Sequence, residues 1–168
     1  MQEPTVVRLS EFDTRLLDEL SHVEAEAFGE GGLNHWTFPV FIRHGAVFML
    51  KCGDALCGVA DVLKDWKDPE LAFIVGFAIQ RGKRGMGFGT QFIHELIRRL
   101  RDEGIKKIQL TVDPECEQAI SIYRKAGFKQ IAELADEYGP GIDRLLYELD
   151  LNKLNLNQTN LNELELEE

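Results

Sequence analysis

The sequence predicts an α+β domain: one mixed, mostly antiparallel sheet of about seven strands with about four helices, in the order β-α-α-β-β-β-α-β-α-β-β. Three observations predict it. Apolar runs at 46–52, 56–63 and 70–79 follow one another across short turns, as in an antiparallel meander. A cationic, glycine-rich junction, Ile79-Gln80-Arg81-Gly82-Lys83-Arg84-Gly85-Met86-Gly87-Phe88-Gly89-Thr90, then leads from strand to helix. After it, helix and strand patterns alternate, which calls for a β-α-β crossover.

The elements follow in order. Residues 5–9 read as a short strand. Ser10 or Asp13 then caps a helix carrying Leu16, Leu17, Leu20, Val23, Ala27 and Phe28 on one face, ended by Gly29 and Gly31-Gly32. A shorter helix falls within 35–44, near Pro39. Gly53-Asp54 makes the strands at 46–52 and 56–63 a hairpin, and 65–69 turns the chain into the long strand 70–79. The helix at 90–103 points Phe92, Ile93, Leu96, Ile97 and Leu100 inward and stops at Gly104. A strand at 105–112 precedes a helix at 115–126, with Pro114 suited to its first turn. Strands at 128–134 and 144–151 flank a turn-rich loop around Tyr138-Gly139-Pro140-Gly141. The domain is expected to span residues 1–151. The Asn/Leu/Glu-rich tail, 152–168, reads equally as an edge strand or a frayed end.

At 168 residues, one domain with its own core is expected. The net charge of −10 argues against general nucleic-acid binding and suits either an amine-bearing partner or plain solubility. Three cysteines without Cys-x-x-Cys spacing fit reduced thiols and a cytoplasmic setting, and four histidines form no metal-ligand pattern with them. No signal peptide is legible, nor an apolar run near the roughly 20 residues of a membrane span. No metal, nucleic acid or membrane partner is therefore expected. A monomer or homodimer is.

A basic glycine turn in an acidic chain asks for an anion, which strand-to-helix amides and a helix N-terminus hold well. Two familiar phosphate loops do not fit. No glycine is followed by Lys-Ser or Lys-Thr, and Gly-x-Gly-x-x-Gly fails because Phe92 or Thr90 stands where the last glycine belongs. The spacing that does stand is Arg84-Gly85-Met86-Gly87-Phe88-Gly89, an Arg-x-x-Gly-x-Gly. A second pattern runs from Ala119 through Tyr123 to Gly127-Phe128, and a third from Tyr138 to Arg144.

Together these resemble the GNAT superfamily of N-acetyltransferases over about residues 5–151, closest in pattern to those acting on peptide α-amines. The resemblance implies a GNAT-like fold with acetyl-coenzyme A as co-substrate. The pyrophosphate would lie against Gly85, Met86, Gly87, Phe88, Gly89 and Thr90, with Lys83 and Arg84 adding charge and Arg81 reaching the 3′-phosphate. The pantetheine arm would pair with Phe77, Ala78 and Ile79 like an added strand, and Cys116 and Ala119 would touch it. Gly76 marks either a bulge that opens the thioester slot or a close approach.

For chemistry, the resemblance implies Tyr123 as the acid that protonates the leaving thiolate. Glu70 is the candidate base, with Asp68, Glu137 or water as alternatives. The acid usual at the start of this strand is replaced by Leu71, and Cys116 stands where asparagine is usual. The acceptor is a small-molecule amine or a peptide N-terminus, lined by Phe28, Trp36, Phe38, Trp66, Tyr138 and Asp143. A non-catalytic acyl-coenzyme A sensor and a nucleotide phosphate binder are the competing readings.

Overall fold

The computed structural model describes residues 3–154. Strand β1 (Thr5–Arg8) leads to helix α1 (Thr14–Phe28). Asp13 caps α1, its carboxylate accepting the Leu16 amide at 2.8 Å. A 3-10 turn at Gly29–Gly31 follows, then α2 (Phe38–His44), β2 (Ala46–Cys52), β3 (Ala55–Lys64) and β4 (Leu71–Ile79). After a second 3-10 turn, Arg81–Lys83, come α3 (Phe88–Asp102), β5 (Lys107–Val112), α4 (Glu117–Lys125), β6 (Lys129–Leu134) and β7 (Arg144–Asp150).

The seven strands form one sheet in the order β1-β2-β3-β4-β5-β7-β6. Every neighbouring pair is antiparallel except β4 with β5. That exception is forced by α3, whose crossover returns the chain in the same direction. The expected element order stands, with shifted ends. Helix α3 begins two residues earlier than predicted, so Phe88 and Gly89 belong to its first turn. Helix α4 begins later, at Glu117, so Pro114 lies outside it, in a turn where the Cys116 amide donates to the Asp113 carbonyl at 3.0 Å.

Each sheet face has its own core. On one, Phe92, Ile93, Leu96 and Leu100 of α3 pack on Ile108, Leu110, Tyr147 and Phe128. On the other, Leu17, Leu20 and Val23 of α1 and Phe38 and Ile42 of α2 pack on Val47, Val59 and Ala78. Each fully buried Leu or Ile contributes about 2 kcal/mol, so both helical layers are firmly anchored. Helix α1 packs on β3 and β4 and stops there, so the same face of β5 and β7 carries only half-buried side chains such as Gln109, Thr111 and Leu146. The tail readings fall almost wholly on residues 155–168, outside the described residues.

Candidate active site

The site begins with an irregularity in β4. Register with β3 runs Val62↔Ile74 and then Asp61↔Gly76, leaving Val75 as an extra, bulged residue. The parallel ladder to β5 ends at the same point, its last pair being Ile74↔Leu110. Beyond it, residues 75–79 bond to β3 on one side and to no strand on the other, while β5 stays paired to β7 through Val112. A gap therefore opens between two adjacent strands. Of its walls, Phe77 and Ile79 face the α3 side of the sheet, and Ala78 faces the α1 side.

The chain leaves this gap through the cationic loop. The Lys83 amide donates to the Gln80 carbonyl at 2.8 Å, and Gln91 makes the first α3 bond, to Gly87, at 3.1 Å. Between them, the amides of Gly85, Met86, Gly87, Phe88, Gly89 and Thr90 donate to no acceptor among the described residues. Six successive N–H groups at a helix start make an anion nest. The glycines serve different ends. Gly85 and Gly87 take left-handed φ values of +77° and +81°, which turn the loop. A Cβ on Gly89 would instead lie 2.9 Å from Ile122 Cδ1, so that glycine lets α4 approach.

The loop cations divide as well. Arg84 turns back, its Nε donating to the Ile79 carbonyl at 2.9 Å and fastening the loop to the end of β4. Its expected contact with an anion thus falls to its outer nitrogens at most. Among the described residues no carboxylate pairs with the side chains of Arg81 or Lys83. They add uncancelled positive charge to the nest.

Tyr123 lies against the gap. Its ring meets Phe77 edge-on at 6.1 Å and Phe128 at 5.8 Å, and it is only 6% exposed. Burial first, and the nearby Cys116 thiol second, push its phenol well above the ordinary value, so it is neutral and holds its proton. Cys116 is the exposed N-cap residue of α4, and Ala119, one turn on, is half-buried against the core.

The expected acceptor residues scatter. Tyr138 reaches β5, its hydroxyl 3.0 Å from Thr111 Oγ1, and the Arg144 guanidinium stacks on its ring. Asp143 is engaged within the β6–β7 loop, accepting the Asp136 amide at 2.9 Å. Phe28 ends α1 half-exposed, near the loop, where the Glu26 carboxylate meets the Arg81 amide. Trp36 stands in the turn before α2, 88% exposed. Phe38 is a correction: it is fully buried in the α1–α2 core, so it lines nothing.

Trp66 and Glu70 sit at the other end of β4, in the turn entering it, with Trp66 fully exposed. The six residue steps from Glu70 to Gly76 span about 20 Å of strand. Glu70 is tied to Lys106 at 2.5 Å. The structure does not bring either residue to the gap.

What the sequence reading passed over is a pair of carboxyls. Among the described residues, Glu24 of α1 and Asp61 of β3 are the buried charged ones, 1% and 0% exposed. A Cβ on Gly76 would lie 2.8 Å from Asp61 Oδ2 and 3.2 Å from Glu24 Oε1, so the missing side chain makes room for both. Glu24 Oε2 accepts the Leu33 amide at 2.9 Å, while Glu24 Oε1 and both Asp61 oxygens have no donor. Burial, then the Glu24 charge, raises Asp61 well above the carboxylate range; burial also raises Glu24. A proton on Asp61, donated to Glu24 Oε1, would give partners to two of these three oxygens. Only their lone apolar-face polarity, Glu24 beside Val23 and Asp61 within 56–63, signalled them in the sequence.

The cysteine expectation also changes. The Sγ atoms of Cys52 and Cys57 lie within bonding distance across the β2–β3 turn, their Cα atoms 6.2 Å apart. The cause is a bulge: Leu50 faces Gly58 and Lys51 faces Leu56, which leaves Cys57 extra and swings it toward Cys52. Among the described residues, no helix is long and apolar enough to cross a membrane.

Comparison with known proteins agrees with this architecture. The chain is similar to an acetyltransferase from Bacillus subtilis in complex with CoA, with TM-score 0.73 and 22% identity, covering 89% of this chain and 99% of that one. It is similar to the ribosomal-protein-S18-alanine N-acetyltransferase from Escherichia coli, with TM-score 0.73 and 20% identity over 92% and 98% of the two chains. Ard1 from Thermoplasma volcanium superposes with TM-score 0.75 at 18% identity, over 88% and 97%. At such identities these likenesses speak for the fold. In sequence, the uncharacterized N-acetyltransferase YvbK of Bacillus subtilis is 27% identical over 89 residues, 53% of this chain. The chain spans about half the length of that curated relative, 56%. The acetyltransferase (GNAT) family profile matches residues 11–128, across the bulged strand, the amide nest and the Tyr123 helix, and the chain belongs to that family.

Proposed function

We propose that the protein is an acetyl-coenzyme A-dependent N-acetyltransferase that acetylates a primary amine by direct attack in a ternary complex. The observation that carries this reading is the junction of two open backbone edges, the β5-facing edge of residues 75–79 of β4 and the six amides from Gly85 to Thr90. A ligand with an extended amide-bearing arm and a pyrophosphate uses both. The residues present fit it. The nest holds the pyrophosphate, Lys83 and Arg81 add charge, and the β4 edge at Phe77, Ala78 and Ile79 aligns the arm. Ala119 and Cys116 flank it from α4. An amide of Phe77 or Ala78 polarises the thioester carbonyl as negative charge develops.

Tyr123 supplies the proton for the departing sulfur. Its raised proton affinity does not disqualify it, because the burial that disfavours a phenolate also disfavours a thiolate beside it. The amine enters from the uncovered face of β5 and β7, past Tyr138 and the end of α1 at Phe28. A domain over 1–151, acting as monomer or homodimer in the cytoplasm, completes the reading.

A non-catalytic acyl-coenzyme A sensor is the second reading. It draws on Glu70, which is tied to Lys106 far from the bulge, and on Cys116 in an asparagine's usual place. Free-thiol release from acetyl-coenzyme A, measured with alanine-first peptides, polyamines, aminoglycosides and small amines, separates the two. Amine-dependent thiol release supports the enzyme. Tight acetyl-coenzyme A binding without it favours the sensor.

A further inference from the structure

The Glu24–Asp61 pair has no part in the mechanism above, yet burying it is costly. Two carboxyls without a countercharge are buried where an ordinary core would place apolar side chains. The surroundings are shaped for them. Gly32 lies so close to α1 that a Cβ there would come 2.9 Å from the Glu24 backbone, and this closeness brings the Leu33 amide onto Glu24 Oε2. Gly76 leaves the space that Asp61 Oδ2 and Glu24 Oε1 fill. Asp61 is the register partner of Gly76, the first residue past the bulge, where β4 and β5 part. The next residue, Phe77, carries Tyr123 against it on the opposite sheet face. Residues 76 and 77 thus separate a proton donor on the α3 side from a carboxyl pair on the α1 side.

An amine arriving on the α1 side carries a proton it must lose before attack, while Tyr123 serves the sulfur from the other side. We propose that the Glu24–Asp61 pair is the acceptor of the proton that the ammonium substrate sheds. The inference rests on the acetyltransferase reading. The nitrogen–proton bond breaks, a carboxylate of the pair takes up that proton, and the freed lone pair attacks the thioester carbon. As the carbon–sulfur bond breaks, Tyr123 protonates the sulfur. The second proton on the attacking nitrogen returns to the phenolate, and the pair discharges its proton to solvent. Net products are amide, thiol and one proton.

The groups acting on the pair are few. Glu24 and Asp61 act on each other, the Leu33 amide donates from the loop after α1, and Gly76 offers no side chain from β4. On α1 itself, Glu26 is engaged by His22 at 3.5 Å and by the Arg81 amide. A base with raised proton affinity suits this task better than an exposed carboxylate.

The test uses Glu24→Gln and Asp61→Asn, whose amides keep the shape and can donate across the pair. kcat/KM for the amine is measured against pH, with coenzyme affinity and thermal stability alongside. In each variant kcat/KM should fall about 100-fold near neutral pH. The deficit should narrow as the pH nears the amine's own pKa, where solution supplies free amine, and coenzyme affinity should hold. If the pair only clasps α1 to β3, stability moves while the pH profile stays parallel to wild type, and the proposal is overturned. Infrared spectra give a readout independent of turnover: the wild type should show a protonated-carboxyl band at neutral pH that Asp61→Asn removes, and its absence from wild type also overturns the proposal. Wild type inert toward every amine defeats the acetyltransferase reading itself, and the pair's role with it. An active wild type with unaltered variants defeats the pair alone.

Discussion

Replacing Gly87 with alanine tests whether the amide nest depends on one left-handed residue. Gly87 sits at φ +81°, immediately before α3, and a Cβ there meets nothing within 4 Å. The penalty is therefore backbone strain alone, about 1–2 kcal/mol. If alanine holds the native conformation, the whole cost falls on folding and lowers Tm by about 2–8 °C for a domain of this size. If the loop relaxes instead, the ligand must restore it, and affinity for coenzyme A falls by up to about tenfold per 1.4 kcal/mol. The two losses trade against each other. Gly82→Ala is the contrasting variant: its glycine lies in the 3-10 turn, outside the left-handed region, with open space around it. Alanine there should stabilise by about 0.5 kcal/mol, by restricting the unfolded chain. Differential scanning calorimetry and isothermal titration with coenzyme A measure both quantities. Equal effects at 82 and 87, or no effect on either quantity at 87, would refute the account of the nest.

Stability against pH probes the buried pair. A folded state that keeps a proton which the unfolded chain gives up loses stability as pH rises from the unfolded value toward the raised folded one. Relative to Asp61→Asn, wild type should lose about 1.4 kcal/mol per pH unit for one retained proton within that window, starting above the ordinary 3.8 of Asp61. Urea denaturation across acidic to mildly alkaline pH reads the slope, and a constant difference counts against the shared proton. Tyr123→Phe should lower kcat by about 100-fold while coenzyme affinity is kept, since the ring contacts with Phe77 and Phe128 remain. Glu70→Gln should lose only an exposed ion pair, worth under about 1 kcal/mol, and leave kcat/KM near wild type; a large kcat loss would return the base role to Glu70.

The meander, the crossover and the glycine loop were legible because each is written in local periodicity or turn chemistry. The ends of α3 and α4 were less so. Phe88 and Gly89 enter the helix because the left-handed turn is complete at Gly87, and Pro114 falls outside because Asp113 captures the Glu115 and Cys116 amides first. Site geometry depends on register. The bulge at Val75 shifts which residues face which side, and only strand pairing reveals that Gly76 lies over Asp61. Glu24 and Asp61 come from segments 37 residues apart (61 − 24), and nothing local says they meet. The Cys52–Cys57 approach is similar, since an even hairpin would not have left Cys57 extra.

The short parallel ladder between β4 and β5 divides the sheet unequally. Four register pairs, Leu71↔Lys107 to Ile74↔Leu110, join a four-stranded half, β1 to β4, to a three-stranded half, β5, β7 and β6. That seam is as short as the β1–β2 pairing at the sheet's edge, though it lies mid-sheet, and α3 and its core pack over it. A ligand lying along residues 75–79 and touching α4 therefore staples two halves together. Its binding should slow amide exchange well beyond its own footprint, reaching β5 and β7 as well as β4.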